Sequence, residues 1–293
     1  MKKGINIWSF PHKMKIIECM KMAKEAGFEG IELVYNQTGE LSLESSIDEI
    51  KSIKDVSKAI EIEINSLATG LYWIYSLTSD RSDIRDKAKE IVRKQIDTAS
   101  ILETGTILVV PGAVGVDFKP DEVVPDSKNI GYFAGSEVIE YDVAYVRSLK
   151  ALKELAAYAE KKKISIGIEN VWNKFLLSPL EMQDFIDKIG SDYVGAYFDV
   201  GNIVYSGYPE HWIKILGKRI KCVHFKDYRR EAGGLHGFVD LLAGDVDYIN
   251  VMKSLNEIGY NGYVNAEMTP VYKNYPEQIV FNTSKSMDKI LGK

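Results

Sequence analysis

In the segment Ile164-Ser165-Ile166-Gly167-Ile168-Glu169-Asn170, a short apolar run ends in two polar side chains. An amphipathic helical pattern precedes it at 140–163, and another follows it at 178–189. Strands of a parallel sheet are buried on both faces, so they form short apolar runs rather than alternating ones. The segment is therefore predicted to be one strand of a strand–helix unit.

The same alternation extends in both directions along the chain. The predicted strands cover residues 4–8, 30–34, 62–67, 106–110, 164–169, 195–199, 220–225 and 263–267. The predicted helices cover roughly residues 13–26, 44–58, 82–102, 140–163, 178–189, 209–217, 246–258 and 276–291. Eight strands, each followed by a helix, indicate a closed (β/α)₈ TIM barrel of the α/β class. We therefore predict a single domain that spans residues 1–293.

A doubly wound open sheet is the main rival architecture. It normally carries a glycine-rich phosphate loop after its first strand. Here the first strand is followed by Ser9-Phe10-Pro11-His12, which has no glycine. The absence of this loop favours the barrel.

Several helix ends carry recognisable signals. Gly27 and Gly259 each follow a helical pattern and precede an aromatic residue, as glycine C-caps do. Ser178-Pro179-Leu180-Glu181 has the pattern of a capping box. One connection, at about 111–139, is far longer than the others, and a loop of that length predicts a functional segment such as a lid.

Composition and charge exclude several classes of protein. The formal charge is −5, and the one strong basic cluster, Lys161-Lys162-Lys163, closes a helix, so nucleic acid is not an expected partner. No apolar run approaches the roughly 20 residues that a membrane span requires. The two cysteines, Cys19 and Cys222, are predicted to be small core residues, which fits a cytoplasmic protein. The composition leaves a homo-oligomer open.

Four successive predicted strands end in residues that can bind a metal. In order these are Glu169, Asp199, His224 and Glu267. Strand ends of a barrel converge on one rim, and three convergent carboxylates need a cation to neutralise them. One imidazole with three carboxylates suits a single divalent ion, with Mn²⁺ as the first expectation and Mg²⁺, Co²⁺ or Zn²⁺ as the alternatives. Taken singly, each residue could instead be a capped or salt-bridged strand end.

The four motifs IGIEN, YFDVGN, VHFKD and VNAEM resemble the metal-ligand strands of the xylose-isomerase-like barrel superfamily. The chain is most similar there to the sugar phosphate isomerase/epimerase group, which includes D-tagatose 3-epimerases and L-ribulose-5-phosphate 3-epimerases. The resemblance implies that Glu169, Asp199, His224 and Glu267 hold the metal. It further implies that Glu169 and Glu267 exchange a proton next to the substrate carbonyl, through a metal-stabilised enediolate.

Three positions test how far the resemblance to D-tagatose-type epimerases extends. Asn202 replaces a histidine that binds substrate oxygens, and Phe175 replaces an acidic residue. Arg230 corresponds to an arginine of that family. These departures leave the sugar unnamed.

Further polar and aromatic residues near the strand ends are candidates for substrate binding. Lys174, Lys226 and Arg230 could hold a phosphate, although Lys226 could equally pair with Asp227 or with a ligand carboxylate. Glu32, at the end of the second strand, could orient a ligand or bind a hydroxyl group. The substrate-binding residues expected from the sequence are Glu32, Trp172, Lys174, Asn202, His211, Lys226, Arg230 and His236.

The sequence therefore predicts a divalent-metal-dependent isomerase or epimerase of a ketose or ketose phosphate, with a small-molecule sugar or sugar phosphate as its partner. An inosose-type dehydratase or a hydroxypyruvate isomerase would use the same site. A catalytically silent polyol-binding barrel is disfavoured, because binding alone does not need two glutamates. An apurinic endonuclease is disfavoured too, because it needs more histidines than the four present here.

Overall fold

Eight parallel strands close into a barrel. The computed structural model describes residues 1–118 and 135–293. The barrel strands are β1 (Lys2–Asn6), β2 (Gly30–Val34), β3 (Glu63–Ala68), β4 (Thr106–Val109), β5 (Ser165–Glu169), β6 (Val194–Asp199), β7 (Ile220–Phe225) and β10 (Tyr263–Ala266). Their order around the barrel is β1-β10-β7-β6-β5-β4-β3-β2. The predicted (β/α)₈ TIM barrel is confirmed, and each predicted strand has its counterpart within about two residues.

The α-helices surround this barrel. They are α1 (Ile16–Glu25), α2 (Ile47–Ile60), α3 (Ser82–Leu102), α4 (Tyr141–Lys162), α5 (Pro179–Ile189), α6 (Gly201–Val204), α7 (Pro209–Leu216), α8 (Tyr248–Glu257) and α9 (Gln278–Leu291). Two features were not predicted: the short helix α6, and an antiparallel hairpin of β8 (Asp227–Tyr228) and β9 (Phe238–Val239). Both lie beyond the carboxyl ends of barrel strands, where the site residues also lie.

The first strand ends earlier than predicted. β1 stops at Asn6, and residues Ile7–Ser9 form a 3₁₀ turn. The Asn6 side chain accepts a hydrogen bond from the Trp8 N–H at 2.7 Å, which caps that turn. A short polar side chain thus ends a strand that hydrophobicity alone would extend.

The helix ends follow the predicted signals with one exception. Gly27 and Gly259 adopt positive φ angles of 86° and 73° after α1 and α8. Ser178 caps α5 by accepting the Glu181 N–H at 3.2 Å. The Glu181 carboxylate, however, accepts from the Leu177 N–H at 2.9 Å, so the reciprocal half of the predicted capping box is shifted by one residue.

The barrel interior contains polar side chains beneath the site. The Asn65 amide donates to Asn265 at 2.6 Å, and Asn265 donates to the Tyr197 hydroxyl at 2.9 Å. Glycines make room for these groups, because a Cβ at Gly4 would overlap Asn265 and one at Gly167 would lie 2.8 Å from the Tyr197 Cβ. The interior is therefore a satisfied hydrogen-bond network rather than the purely apolar filling usual in such barrels.

The remaining expectations about the chain concern its long loop, its thiols and the membrane. Residues 119–134 of the predicted lid lie outside the described residues, so the lid stays a prediction. Cys19 and Cys222 are both buried free thiols, as predicted, and burial raises the pKa of Cys19 to about 12. Across the described ranges, no helix has the length and apolar character needed to cross a bilayer.

Candidate metal centre

The four strand-end residues predicted as ligands converge on one point. Glu169 and Asp199 are the last residues of β5 and β6, His224 lies one residue before the end of β7, and Glu267 directly follows β10. One candidate ligand atom from each lies within 4.8 Å of the others, and all four residues are buried. Parallel register brings them together, since Asp199 is paired with His224 across β6 and β7.

Glu32 orients the imidazole of His224. Its Oε1 lies 2.6 Å from His224 Nε2, and both side chains are fully buried. Burial opposes ionisation of Glu32, but His224, Tyr197 and Asn6 hold the pKa of its carboxyl below the ordinary value. An ionised carboxylate can only accept, so Nε2 carries the proton and Nδ1 is left to face the three carboxylates.

Three buried atoms at this point have no hydrogen-bond partner. They are Asp199 Oδ2, His224 Nδ1 and Glu267 Oε2. His224 Nδ1 is 2.9 Å from Glu267 Oε2, but the two atoms do not form a hydrogen bond. Buried polar atoms without a hydrogen bond are disfavoured, so three of them at one point fit a bound cation. Three carboxylates and one imidazole, with no thiolate, suit Mn²⁺, Mg²⁺, Co²⁺ or Zn²⁺.

Lys226 neutralises part of the carboxylate charge. Its Nζ lies 2.9 Å from Glu267 Oε1 and 3.3 Å from Asp199 Oδ2. Burial disfavours the ammonium, but the neighbouring carboxylates of Asp199, Glu267 and Glu169 raise the pKa of Lys226 above its ordinary value. Of the two pairings left open by the sequence, the structure has Lys226 against ligand carboxylates, not against Asp227.

The ligand carboxylates of Asp199 and Glu267 each have one oxygen held by the protein and one directed to the cluster. The Asn202 N–H donates to Asp199 Oδ1 at 2.8 Å, which leaves Asp199 Oδ2 near Lys226. Lys226 likewise holds Glu267 Oε1 and leaves Oε2 unpartnered. This division predisposes both side chains to bind a metal through a single oxygen.

The two glutamates of the cluster have opposite pKa shifts. Burial, followed by the charge of Glu267, raises the pKa of Glu169 to about 7. Burial opposes ionisation of Glu267 too, but Lys226 and His224 lower its pKa to about 2. Paired carboxylates whose surroundings separate their pKa values are a common feature of acid–base sites.

A cavity of about 580 Å³ lies next to the cluster. Asn170 and Asn202, in its wall, connect it to the metal ligands: the Asn170 amide donates to the Asp199 carbonyl at 2.8 Å. The aromatic residues in its wall are Phe118, Trp172, Phe175, Tyr205 and Trp212. A mostly apolar cavity with a few convergent polar groups is the usual form of a small-molecule site.

Four of the residues predicted to contact substrate line this cavity. These are Trp172, Lys174, Asn202 and His236. Trp172 is fixed by donating from Nε1 to the Asn202 carbonyl at 3.0 Å. Phe175, which replaces an acidic residue of the D-tagatose-type family, is buried in the same wall.

Three other predicted substrate contacts lie elsewhere. Arg230 donates to the Val204 carbonyl at 2.9 Å and the Gly207 carbonyl at 3.3 Å, so its guanidinium holds a loop. His211 is exposed and contacts the ring of Tyr208, with 5.2 Å between the ring centroids. Glu32 lies behind His224, enclosed by protein, so of its two predicted roles the geometry favours orientation of the ligand.

The groups that support the site from inside the barrel were not predicted from the sequence. Tyr197 and Ser66 both bond to Glu32, the serine at 2.7 Å. Tyr197 lies two residues before Asp199 on β6, and side chains two apart on a strand share a face. That spacing could have indicated that Tyr197 faces the site, but an aromatic residue in an apolar run is normally a core residue.

The fold and the ligand positions together define a class of protein. The chain belongs to the xylose isomerase-like TIM barrel family, whose model matches residues 20–284.

Individual relatives agree with this assignment. A putative L-ribulose-5-phosphate 3-epimerase of Escherichia coli is 23% identical over 266 residues, which is 86% of this chain and 82% of the relative. An inosose dehydratase of Clostridium perfringens is 29% identical over 144 residues, 43% of this chain and 48% of the relative.

The solved structure of a D-psicose 3-epimerase with D-tagatose, from Clostridium cellulolyticum H10, superposes with a TM-score of 0.80. It is 16% identical, with 100% of this chain and 99% of the other covered. At that identity the superposition shows a shared fold.

Proposed function

We propose that this protein is a divalent-metal-dependent isomerase or epimerase that moves a proton on the carbon next to the carbonyl of a ketose or ketose phosphate. The observation that carries the proposal is the pair Glu169 and Glu267 in one buried ligand cluster beside a sugar-sized cavity. The names of two similar proteins, a putative L-ribulose-5-phosphate 3-epimerase and a D-psicose 3-epimerase, support the same class of reaction.

Glu169, Asp199, His224 and Glu267 would hold the cation, and Glu32 would fix the imidazole. A bound divalent ion would supply Lewis acidity toward the substrate carbonyl, which acidifies the adjacent C–H. Asn170 and Asn202 fix the Asp199 carboxylate, the first through the backbone of Asp199 and the second through its side chain. The ligands are thus held by hydrogen bonds before substrate enters.

The two glutamates are the proposed acid–base pair. In the order of the barrel, β5 and β10 are separated by β6 and β7, so their carboxylates reach the cluster from different sides. A sugar between them would present opposite faces of one carbon to the two side chains. One glutamate then removes the proton, and return of a proton by the other to the opposite face of the same carbon inverts the configuration there. Return to the former carbonyl carbon, with the hydroxyl proton passing between the two oxygens, moves the carbonyl instead.

A dehydratase is the second candidate, and the inosose dehydratase relative favours it. The Lys226 ammonium, buried against Glu267, is a cation that could also assist departure of a hydroxyl group. The products separate the two: a dehydratase releases water and lowers the mass of the sugar, whereas an isomerase or epimerase leaves the mass unchanged.

The experiment replaces each glutamate by glutamine and follows solvent deuterium entering a panel of ketoses and ketose phosphates in D₂O with Mn²⁺. We expect Glu169→Gln and Glu267→Gln to lower epimer or isomer formation by at least about 10²-fold, the usual contribution of a general acid or base. Metal content is measured for each variant, so that loss of the ion is distinguished from loss of the base.

Glu231→Gln, the same change on an exposed residue outside the ligand cluster and the described cavity lining, is the control and should keep full activity. Turnover retained in Glu267→Gln would contradict the assigned pair. Absence of deuterium exchange in the wild-type protein with every sugar, at full metal loading, would contradict the proposed function.

A further inference from the structure

Two cations that the sequence offers for a phosphate group are already held by the protein. Lys226 lies between the carboxylates of Asp199 and Glu267. Arg230 is occupied by two backbone carbonyls, and its guanidinium carbon lies 4.6 Å from the centroid of the Tyr208 ring. Neither group can turn to an anion without leaving a buried carboxylate or a carbonyl unpaired, which costs free energy.

The third cation lies in the cavity wall but is paired there. Lys174 Nζ is 2.6 Å from Asp117 Oδ1, and both residues line the cavity. Among the described residues of the lining, these two are the only Asp, Glu, Lys or Arg side chains. The described wall is therefore neutral overall, one acid balancing one base.

The rest of the wall has the chemistry of a site for an uncharged sugar. Aromatic rings cover the C–H faces of sugars and exclude water. The neutral polar side chains of Asn170, Asn202 and Ser206 and the imidazole of His236 provide hydrogen bonds to hydroxyl groups. Among the described residues of this wall, a phosphate dianion would meet no cation that lacks a carboxylate partner.

We propose that the substrate is an unphosphorylated ketose or a ketone of similar polyol character, and that the Lys174–Asp117 ion pair excludes phosphorylated sugars. This inference rests on the proposed function and narrows its substrate class. The Asp117 carboxylate pairs with Lys174, which is the one Lys or Arg of the described wall, and it repels an incoming phosphate.

The test compares each free sugar with its own phosphate. Deuterium incorporation from D₂O is measured with the Mn²⁺-loaded protein for D-fructose against D-fructose 6-phosphate and for D-tagatose against D-tagatose 6-phosphate. We expect kcat/KM to favour the free sugar by at least about tenfold, the discrimination that one unfavourable charged contact provides. Exchange that is equal or faster with the phosphates overturns this inference while leaving the proposed function intact, whereas no exchange with any sugar overturns both.

A substitution tests the ion pair itself. Asp117→Asn frees Lys174 and removes the repelling charge, so the ratio of kcat/KM for phosphate to that for free sugar should rise several-fold. Asp187→Asn is the matched control, because it removes the same charge from the exposed pair with Arg219, at 2.6 Å, outside the cavity. A ratio that is unchanged in Asp117→Asn, or that rises equally in the control, overturns the proposed role of the pair.

Discussion

At the scale of single residues, the site is organised around His224. One ring nitrogen is fixed by Glu32, and the other faces Glu267 at 2.9 Å. The ligand residues could be predicted, because a polar side chain at the end of an apolar strand is conspicuous. The side chains that hold Glu32 in place could not be predicted. They come from β1, β3 and β6, and only the closed barrel brings them together.

Replacing Glu32 by glutamine should weaken metal binding. The amide has no charge to hold the Nε2 proton, and loss of such a partner typically lowers metal affinity by about 10–100-fold. Calorimetric titration with Mn²⁺ measures the change, and thermal unfolding of the metal-free proteins shows whether the variant is folded.

Glu44→Gln is the control for this substitution, because Glu44 is exposed and is not part of the ligand cluster. It should bind Mn²⁺ as tightly as the wild type. A Glu32→Gln variant with wild-type affinity would mean that the carboxylate does not position His224.

At the scale of elements, Asp227 anchors the loop that follows β7. Its carboxylate accepts the N–H groups of Tyr228 and Leu242 at 2.9 Å and of Val246 at 3.1 Å. A Cβ at Gly244 would overlap this carboxylate. The strands and long helices could be predicted from local hydrophobic patterns, but the strands of the hairpin β8–β9 have two residues each and are too short to leave a periodic signal.

Removing the Asp227 carboxylate should loosen this loop. Asp227→Ala leaves three backbone donors without their acceptor, so we expect a loss of about 2–4 kcal/mol in the free energy of unfolding. Denaturant unfolding gives that value, and hydrogen exchange should show faster exchange at Leu242 and Val246.

The conservative variant Asp227→Asn keeps one acceptor oxygen and should be intermediate in stability. If Asp227→Ala were as stable as the wild type and its loop as well protected, the anchoring role would be wrong.

At the scale of the whole molecule, strand closure converts scattered residues into one centre. The four ligand residues span nearly 100 positions of the sequence, from Glu169 to Glu267. In the fold, one ligand atom from each lies within 4.8 Å of the others. The sequence could predict this convergence because barrel strands all end on one rim. It could not predict that Lys174 and Arg230 are already paired within the protein. Whether a cation is free for substrate depends on the carbonyls and carboxylates that the fold brings near it.

The most direct test of the proposed metal-dependent reaction titrates Mn²⁺ and measures proton exchange. Chelator-treated protein receives Mn²⁺ in steps, and deuterium entering the carbon next to the ketose carbonyl is followed by proton NMR. We expect negligible exchange without the ion and a rate that rises to saturation at one equivalent per chain. Exchange that persists in the metal-free protein, or that stays absent at saturation, would contradict it.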